Sequence, residues 1–115
     1  MKQSQSIVRH PLLTANLANA VLTNHVEIKR IDFAGGQQAG LHFHPCPVVG
    51  YVAKGSILFQ MDGQPPKTLH AGDAFFEPAN VKMLHFDNAS ATEPATFITF
   101  YLLEENQHEL ITMLG

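Results

Sequence analysis

The sequence predicts an all-β protein, and two observations carry the prediction. The apolar residues fall into short runs separated by segments rich in Gly, Pro and Asn, and no long stretch keeps the 3.6-residue period of a helix. The segment SILFQM, residues 56–61, alternates so that Ile57, Phe59 and Met61 share one face. A chain of 115 residues has room for a single domain with one core.

The strands follow one another closely along residues 26–103. Residues 1–25 are mixed in character and are interpreted as an N-terminal arm, which either forms a short strand in its own subunit or lies across a neighbouring one. Residues 104–115 are a tail that packs on the β domain or on a dimer partner, as a short amphipathic helix or as a last strand. Between them, strands are predicted in VEIKRIDF, LHFH, VVGYVA, SILFQM, AFFEP, MLHFDN and ATFITFYLL.

One turn is predicted with particular clarity. Asp62-Gly63 follows the alternating segment and is a strong hairpin signal. Pro65-Pro66 comes next, and because proline cannot donate to a strand ladder, the following residues are expected at the edge of a sheet.

Composition excludes several classes of partner. The net charge is −3 and only seven residues are Lys or Arg, with no basic cluster, so nucleic acid is not an expected partner. No apolar run reaches the ~20 residues of a membrane span, and the N-terminal residues lack the apolar core of a secretory signal. The single cysteine, Cys46, cannot form an intrachain disulfide. A cytoplasmic location is expected.

His42 and His44 are the first candidate site residues. At positions i and i+2 of a strand their side chains leave by the same face, with Cα atoms ~6.7 Å apart, so both imidazoles can reach one metal ion. The alternative is a pair of histidines that hydrogen-bond to neighbours on a half-buried strand. The pair alone leaves both readings open.

The spacing around these histidines resembles the two motifs of the cupin family. The first is carried by Gly36, His42-Phe43-His44, Val48 and Gly55, and the second by Gly72-Asp73, AFFEP and Asn88. The resemblance extends over residues 26–103 and is greatest to the small single-domain, RmlC-like bacterial cupins. It implies a jelly-roll β-barrel, a metal or small ligand in the barrel mouth, and a homodimer. The apolar run ATFITFYLL, fuller than one barrel face needs, also favours a dimer.

Two positions depart from the pattern of metal-binding cupins. Those proteins use both histidines of the first motif, a glutamate later in that motif and a histidine in the second. Here Val48 stands at the glutamate position and Met83 at the second-motif histidine position. The resemblance therefore leaves the metal site incomplete.

Four residues are candidates to complete it. His85 lies two beyond Met83 and would share its face by alternation. Glu77 would complete the two-histidine, one-carboxylate triad of non-haem iron sites, or else be a loop residue. Cys46 would be a thiolate ligand or a packed side chain, and Met83 a thioether ligand for copper(I) or part of an apolar wall.

The predicted metal ligands are His42, His44 and His85, holding one divalent ion of iron, manganese, nickel, zinc or copper. The predicted pocket-lining residues are Val48, Met83, Tyr51, Glu77, Cys46 and Phe76. The predicted function is a small cupin that binds a small molecule, with or without metal. The alternative is a metal-dependent oxygenase or isomerase acting on a small organic substrate. A metal-free epimerase with a histidine base would need a carboxylate to orient that histidine, and the sequence shows none.

Overall fold

The computed structural model describes residues 6–115, which form nine β-strands and no helix. The all-β prediction is confirmed. Residues 1–5 of the predicted arm lie outside the described residues. The strands are β1 His25–Phe33, β2 His42–Phe43, β3 Val48–Lys54, β4 Ser56–Met61, β5 Lys67–His70, β6 Ala74–Glu77, β7 Met83–Asn88, β8 Ala95–Leu103 and β9 Thr112–Met113.

Two antiparallel sheets face each other. One has the strand order β1-β8-β3-β6 and the other the order β5-β4-β7-β2-β9. We call them sheet A and sheet B. In β8 burial alternates strictly, and the inward positions are Ala95, Phe97, Thr99, Tyr101 and Leu103. This alternation is the signature of a strand whose one face lines the interior.

The interior contains two groups of buried apolar residues. The larger is rich in aromatic rings and contains Val52, Ile57, Phe59, Leu69, Phe75, Met83, Phe86, Ala95 and Phe97. The smaller contains Cys46, Val48, Tyr101 and Leu103, with Leu110 packed against it. Because full burial of one such side chain stabilises the fold by about 1.5–3 kcal/mol, the aromatic cluster dominates the stability.

Two glycines of β3 and its following turn have no substitute. A Cβ at Gly50 would lie 2.1 Å from the Ile98 carbonyl oxygen and 2.6 Å from the Phe75 ring, so only glycine lets β3 and β8 approach. Gly55 joins β3 to β4 with φ +77°, a left-handed conformation that side chains disfavour. The predicted hairpin is also present, since β4 pairs with β5, and β5 is an edge strand.

Of the two alternatives for the C-terminal tail, the last strand is present and the short helix is not. Thr112–Met113 forms β9, which pairs with β2, and the Leu114 amide donates to the Leu41 carbonyl. A helix of this length would be marginal by itself in water, whereas the ladder with β2 satisfies the same backbone groups.

Part of the arm lies against sheet A. Residues 6–24 contain no strand. Leu12 and Leu13 lie beside Val49, Tyr51 and Phe100, on the face of sheet A that points away from the interior. Within residues 6–115 there is no helix of the length and apolarity needed to cross a membrane.

Candidate metal centre

Three buried side chains converge at one end of the interior. His42 belongs to β2, His44 follows two residues later, and Glu77 ends β6 in the opposite sheet. Each is at most 5% exposed. One ligand atom from each residue lies within 4.8 Å of the other two. The predicted pairing of His42 with His44 is present, and Glu77 joins them.

Backbone carbonyls fix the orientation of both imidazoles. His42 Nδ1 donates to the Gly40 carbonyl oxygen and His44 Nδ1 donates to the Leu110 carbonyl oxygen, each at 2.7 Å. A carbonyl oxygen only accepts, so both Nδ1 atoms carry hydrogen. In the neutral rings the lone pairs are therefore on Nε2. Such second-shell bonds are typical of metal-ligating histidines.

The two Nε2 atoms face the Glu77 carboxylate. His42 Nε2 lies 3.5 Å from Oε1 and His44 Nε2 lies 3.2 Å from Oε2. Oε1 is buried and has no hydrogen-bond partner among the described residues. An unsatisfied buried carboxylate oxygen is costly, so something positive must stabilise this group of atoms.

The charges of the site respond to this geometry. Burial acts to lower the pKa of His42, but the Glu77 carboxylate and the Gly40 carbonyl outweigh it, and the pKa lies above its ordinary value. Burial acts to raise the pKa of Glu77, yet His42 and His44 hold this pKa below its usual range. The carboxylate is therefore ionised at neutral pH and favours a cation beside it.

Either a second proton on an imidazole or a metal ion can supply that cation. Two imidazole nitrogens and one carboxylate, with their second shell in place, are the donor set of the two-histidine, one-carboxylate metal sites. The residues present therefore fit a divalent transition metal.

The carboxylate comes from a strand that the family pattern does not predict. Val48, which stands at the family's glutamate position, pairs directly with Glu77 across β3 and β6. Directly paired residues point to the same face of a sheet. Relative to the family pattern, the acidic side chain therefore comes from β6 instead of its neighbour β3, and it still faces the interior. Val48 itself is fully buried in the smaller apolar cluster and offers only packing.

His85 is not brought to the cluster, and the alternation argument that placed it there is wrong. The register between β4 and β7 shifts, so that Gln60 pairs with His85 and Met61 with Met83. This irregularity breaks the two-residue period. The His85 side chain is 46% exposed, and its Nδ1 lies 2.7 Å from an Asp87 carboxylate oxygen.

Met83 and Cys46 pack in the two apolar clusters and do not line the cavity. Met83 is fully buried in the aromatic cluster, directly opposite His42 in the β2–β7 pair. Cys46 is buried beside Val48 and Tyr101. Burial raises the pKa of the Cys46 thiol to about 11, with nearby carboxylates adding to the shift, so the thiolate is disfavoured at neutral pH.

Tyr51 and Phe76 face away from the interior, contrary to the expectation that they line the pocket. In β3 the buried positions are Val48, Gly50 and Val52, which leaves Tyr51 on the outer face and 39% exposed. In β6 Glu77 is buried, and its neighbour Phe76 therefore points outward.

A cavity of about 180 Å³ adjoins the three residues. Its polar wall adds Thr99 and Tyr101 to His42, His44 and Glu77. The rest of the wall is apolar and comprises Ile31, Phe33, Ala39, Phe86, Phe97 and Ile111. The sequence did not point to Ile111 or to the Gly40 and Leu110 carbonyls. Ile31 and Phe33 were not predicted either, although alternation along β1, which puts them on one face, is the signal that could have found them.

The chain belongs to the cupin family, because the Cupin domain profile matches residues 29–101. No curated protein sequence is a significant match to this chain. The fold and the histidine spacing thus agree with the resemblance seen in the sequence.

Solved structures give the same fold with several activities. An oxalate oxidase in complex with the substrate analogue glycolate is 26% identical with a TM-score of 0.65, over 77% of this chain and 46% of that one. An RmlC-like cupin from Shewanella frigidimarina is 27% identical with a TM-score of 0.59, over 70% and 68%. The lyase DddQ of Ruegeria pomeroyi, a DMSP lyase, is 19% identical with a TM-score of 0.64, over 76% and 42%. The chain spans less than half the length of the oxidase and of the lyase.

Proposed function

We propose that this cupin binds one divalent transition metal through His42, His44 and Glu77 and holds it at the wall of a small-molecule cavity. The observation that carries the proposal is the pair of Nδ1 bonds to carbonyls, which leaves both Nε2 atoms facing a buried carboxylate. Nitrogen and oxygen donors suit iron(II) first, and also manganese, nickel, zinc or copper(II).

The second candidate is catalysis by this site, as an oxygenase or isomerase acting on a small organic substrate. When bound, such a metal supplies Lewis acidity and open coordination positions, since three ligands come from the part of the chain that the structure describes. The apolar wall excludes water, and the Tyr101 hydroxyl is available to orient a ligand. The 26% identical oxalate oxidase, described with glycolate, supports a small oxygen-bearing ligand.

A metal-free epimerase is disfavoured by the same geometry. Glu77 does supply the carboxylate that such a mechanism needs. However, each histidine already uses Nδ1 on a carbonyl and presents Nε2 to Glu77, so neither ring keeps a nitrogen for a substrate proton.

Metal analysis of the purified protein tests the proposal. We expect one equivalent of a divalent metal after loading, lost in His44→Ala. His85→Ala is the matched control, since it also removes an imidazole but one outside the cluster. Loss of metal in His85→Ala with retention in His44→Ala would contradict the assignment.

We also propose that the chain is a homodimer and cytoplasmic. On β1 the outward residues Val26 and Ile28 are 48% and 63% exposed, and several apolar residues of the arm are exposed as well. Exposed apolar side chains that lie side by side on one strand face, as Val26 and Ile28 do, favour a protein interface. The single buried thiol of Cys46 fits a reducing compartment. Light scattering on wild type and Ile28→Asp would test the dimer, which we expect to weaken in the variant.

A further inference from the structure

Lys29, which the metal centre does not use, lies next to two residues that line the cavity, Thr99 and Tyr101. Lys29 lies on the interior-facing side of β1, directly opposite Thr99, which lines the cavity. Ile31 and Phe33, two and four residues further on the same face, line the cavity as well. Lys29 itself is exposed, as expected for a side chain at the open edge.

Tyr101 is close both to this lysine and to one of the metal ligands. The Lys29 Nζ atom is 6.0 Å from the centroid of the Tyr101 ring. The same ring is 5.9 Å from the His44 ring, centroid to centroid. A ligand lying along Tyr101 can therefore present one end to the metal and the other to the ammonium group.

Within residues 6–115, no side chain competes for the Lys29 ammonium group at ion-pair distance. Among residues 6–115, Lys29 forms no ion pair within 4.0 Å, whereas its neighbour Arg30 points to the opposite face and contacts Asp32 at 3.5 Å. Glu27 is on the same face as Lys29 and pairs with Tyr101. This carboxylate adds a repulsive charge that limits how many negative charges a ligand can bring to the mouth.

The volume of the cavity limits the rest of the ligand. At about 180 Å³ it slightly exceeds the ~150 Å³ apolar cavity that holds one benzene ring in another protein. Phe33, Phe86 and Phe97 give this wall an aromatic character. Apolar walls with a few converging polar groups favour a ligand with an apolar body and polar ends.

We propose that the site takes a small monocarboxylic acid with an apolar body about the size of one ring. An oxygen at one end points to the metal held by His42, His44 and Glu77, and the carboxylate at the other end is bound by Lys29. Lys29 is then the residue that determines specificity. The inference rests on the proposed metal centre and goes beyond it by naming the ligand class and its anchor.

The test compares two probes of nearly the same shape, one a carboxylate anion and the other its neutral amide. The protein is loaded with zinc, its metal content is measured, and 4-hydroxybenzoate and 4-hydroxybenzamide are titrated by calorimetry. We expect wild type to bind the acid about tenfold more tightly than the amide, as one charge-assisted hydrogen bond implies. Lys29→Gln removes this preference. Glu27→Gln strengthens binding of the acid and leaves the amide unchanged.

The matched control is Lys67→Gln. Lys67 also lies over an aromatic ring, 5.4 Å from the centroid of Phe59, but on β5 at the far edge of sheet B. We expect this variant to keep the full preference. Equal binding of the two probes by metal-loaded wild type, an unchanged preference in Lys29→Gln, or no binding of either probe would overturn the inference. Failure to load zinc would instead contradict the metal centre itself, so the two failures are distinguishable.

Discussion

The two ends of the interior are built from the same strands but contain different chemistry. In β6, Phe75 packs in the aromatic cluster, and Glu77, two residues later on the same face, reaches the histidines. In β8, Phe97 belongs to the aromatic cluster, while Thr99 and Tyr101 line the polar wall of the cavity. The period of two that buries the rings at one end thus also buries a carboxylate at the other.

Stability and chemistry are therefore separated along each strand rather than between strands. Rings at the end of the interior away from the histidines, which we call the closed end, bury apolar area and hold the sheets together. At the cavity end the inward positions carry donors whose burial is costly unless a cation is present. Substitutions at the closed end should therefore mainly lower stability, and substitutions at the cavity end should mainly lower metal affinity.

The largest effect on stability is expected at the closed end. Phe75→Ala removes a ring that is 1% exposed and packs near Phe59, Phe86 and Phe97, and it should lower the free energy of unfolding by about 3–5 kcal/mol. Phe76→Ala, on the outer face, is the matched control and should cost less than half as much. Urea titration monitored by circular dichroism measures both. Equal losses would show that the two faces are not distinguished as described.

The next largest effect is a loss of metal affinity at the cavity end. Glu77→Val should abolish metal binding, a loss larger than the ~100-fold that removal of a second-shell partner causes. Adding Val48→Glu returns a carboxylate on the strand directly opposite and should restore part of the affinity, because the two positions pair face to face. Zinc titration by calorimetry compares the three proteins. If the double variant binds zinc as weakly as Glu77→Val does, a carboxylate on β3 cannot replace the one on β6, and this explanation is refuted.

The smallest effect is a pH dependence of the metal-free protein. Glu77 has a pKa below its ordinary 4.5, so its contribution to stability is present above that pH and is lost as the pH falls through the lowered value. His42 has a pKa above its ordinary 6.5, so its contribution is present below 6.5 and is lost as the pH rises through the raised value. Metal-free protein should therefore be most stable between these limits.

In the metal-loaded protein, stability should rise instead of fall as the pH increases, because ligands must lose their protons to coordinate the metal. Urea unfolding at a series of pH values, with chelator and with added zinc, gives both curves. His42→Gln cannot titrate and should lose most of the alkaline decline in chelator. Identical curves with and without zinc would contradict the metal centre.

The sequence predicted the strands and the histidine pair because both depend on local periodicity. His42 and His44 share a face by alternation alone, and Asp62-Gly63 specifies its turn by backbone preference. Glu77 was recognised as a candidate but ranked below His85, since alternation was assumed through β7. The irregularity near His85 depends on pairing with β4, a strand distant in the sequence, so no local pattern predicts it.

Other parts of the site depend on contacts that no local pattern records. The Leu110 carbonyl, which orients His44, comes from a residue 66 positions away in the tail. That tail became β9 instead of a helix because β2 offered it a partner. The assignment of Tyr51 and Phe76 to the pocket was wrong because it did not follow the alternation of β3 and β6.

X-ray absorption of the zinc-loaded protein identifies the atoms bound to the metal. A metal held by His42, His44 and Glu77 should show only nitrogen and oxygen neighbours at about 2.0–2.2 Å, with the outer scattering of two imidazoles. A sulfur neighbour at about 2.3 Å would instead implicate Cys46 or Met83, and a third imidazole would implicate His85. Either result would contradict the account.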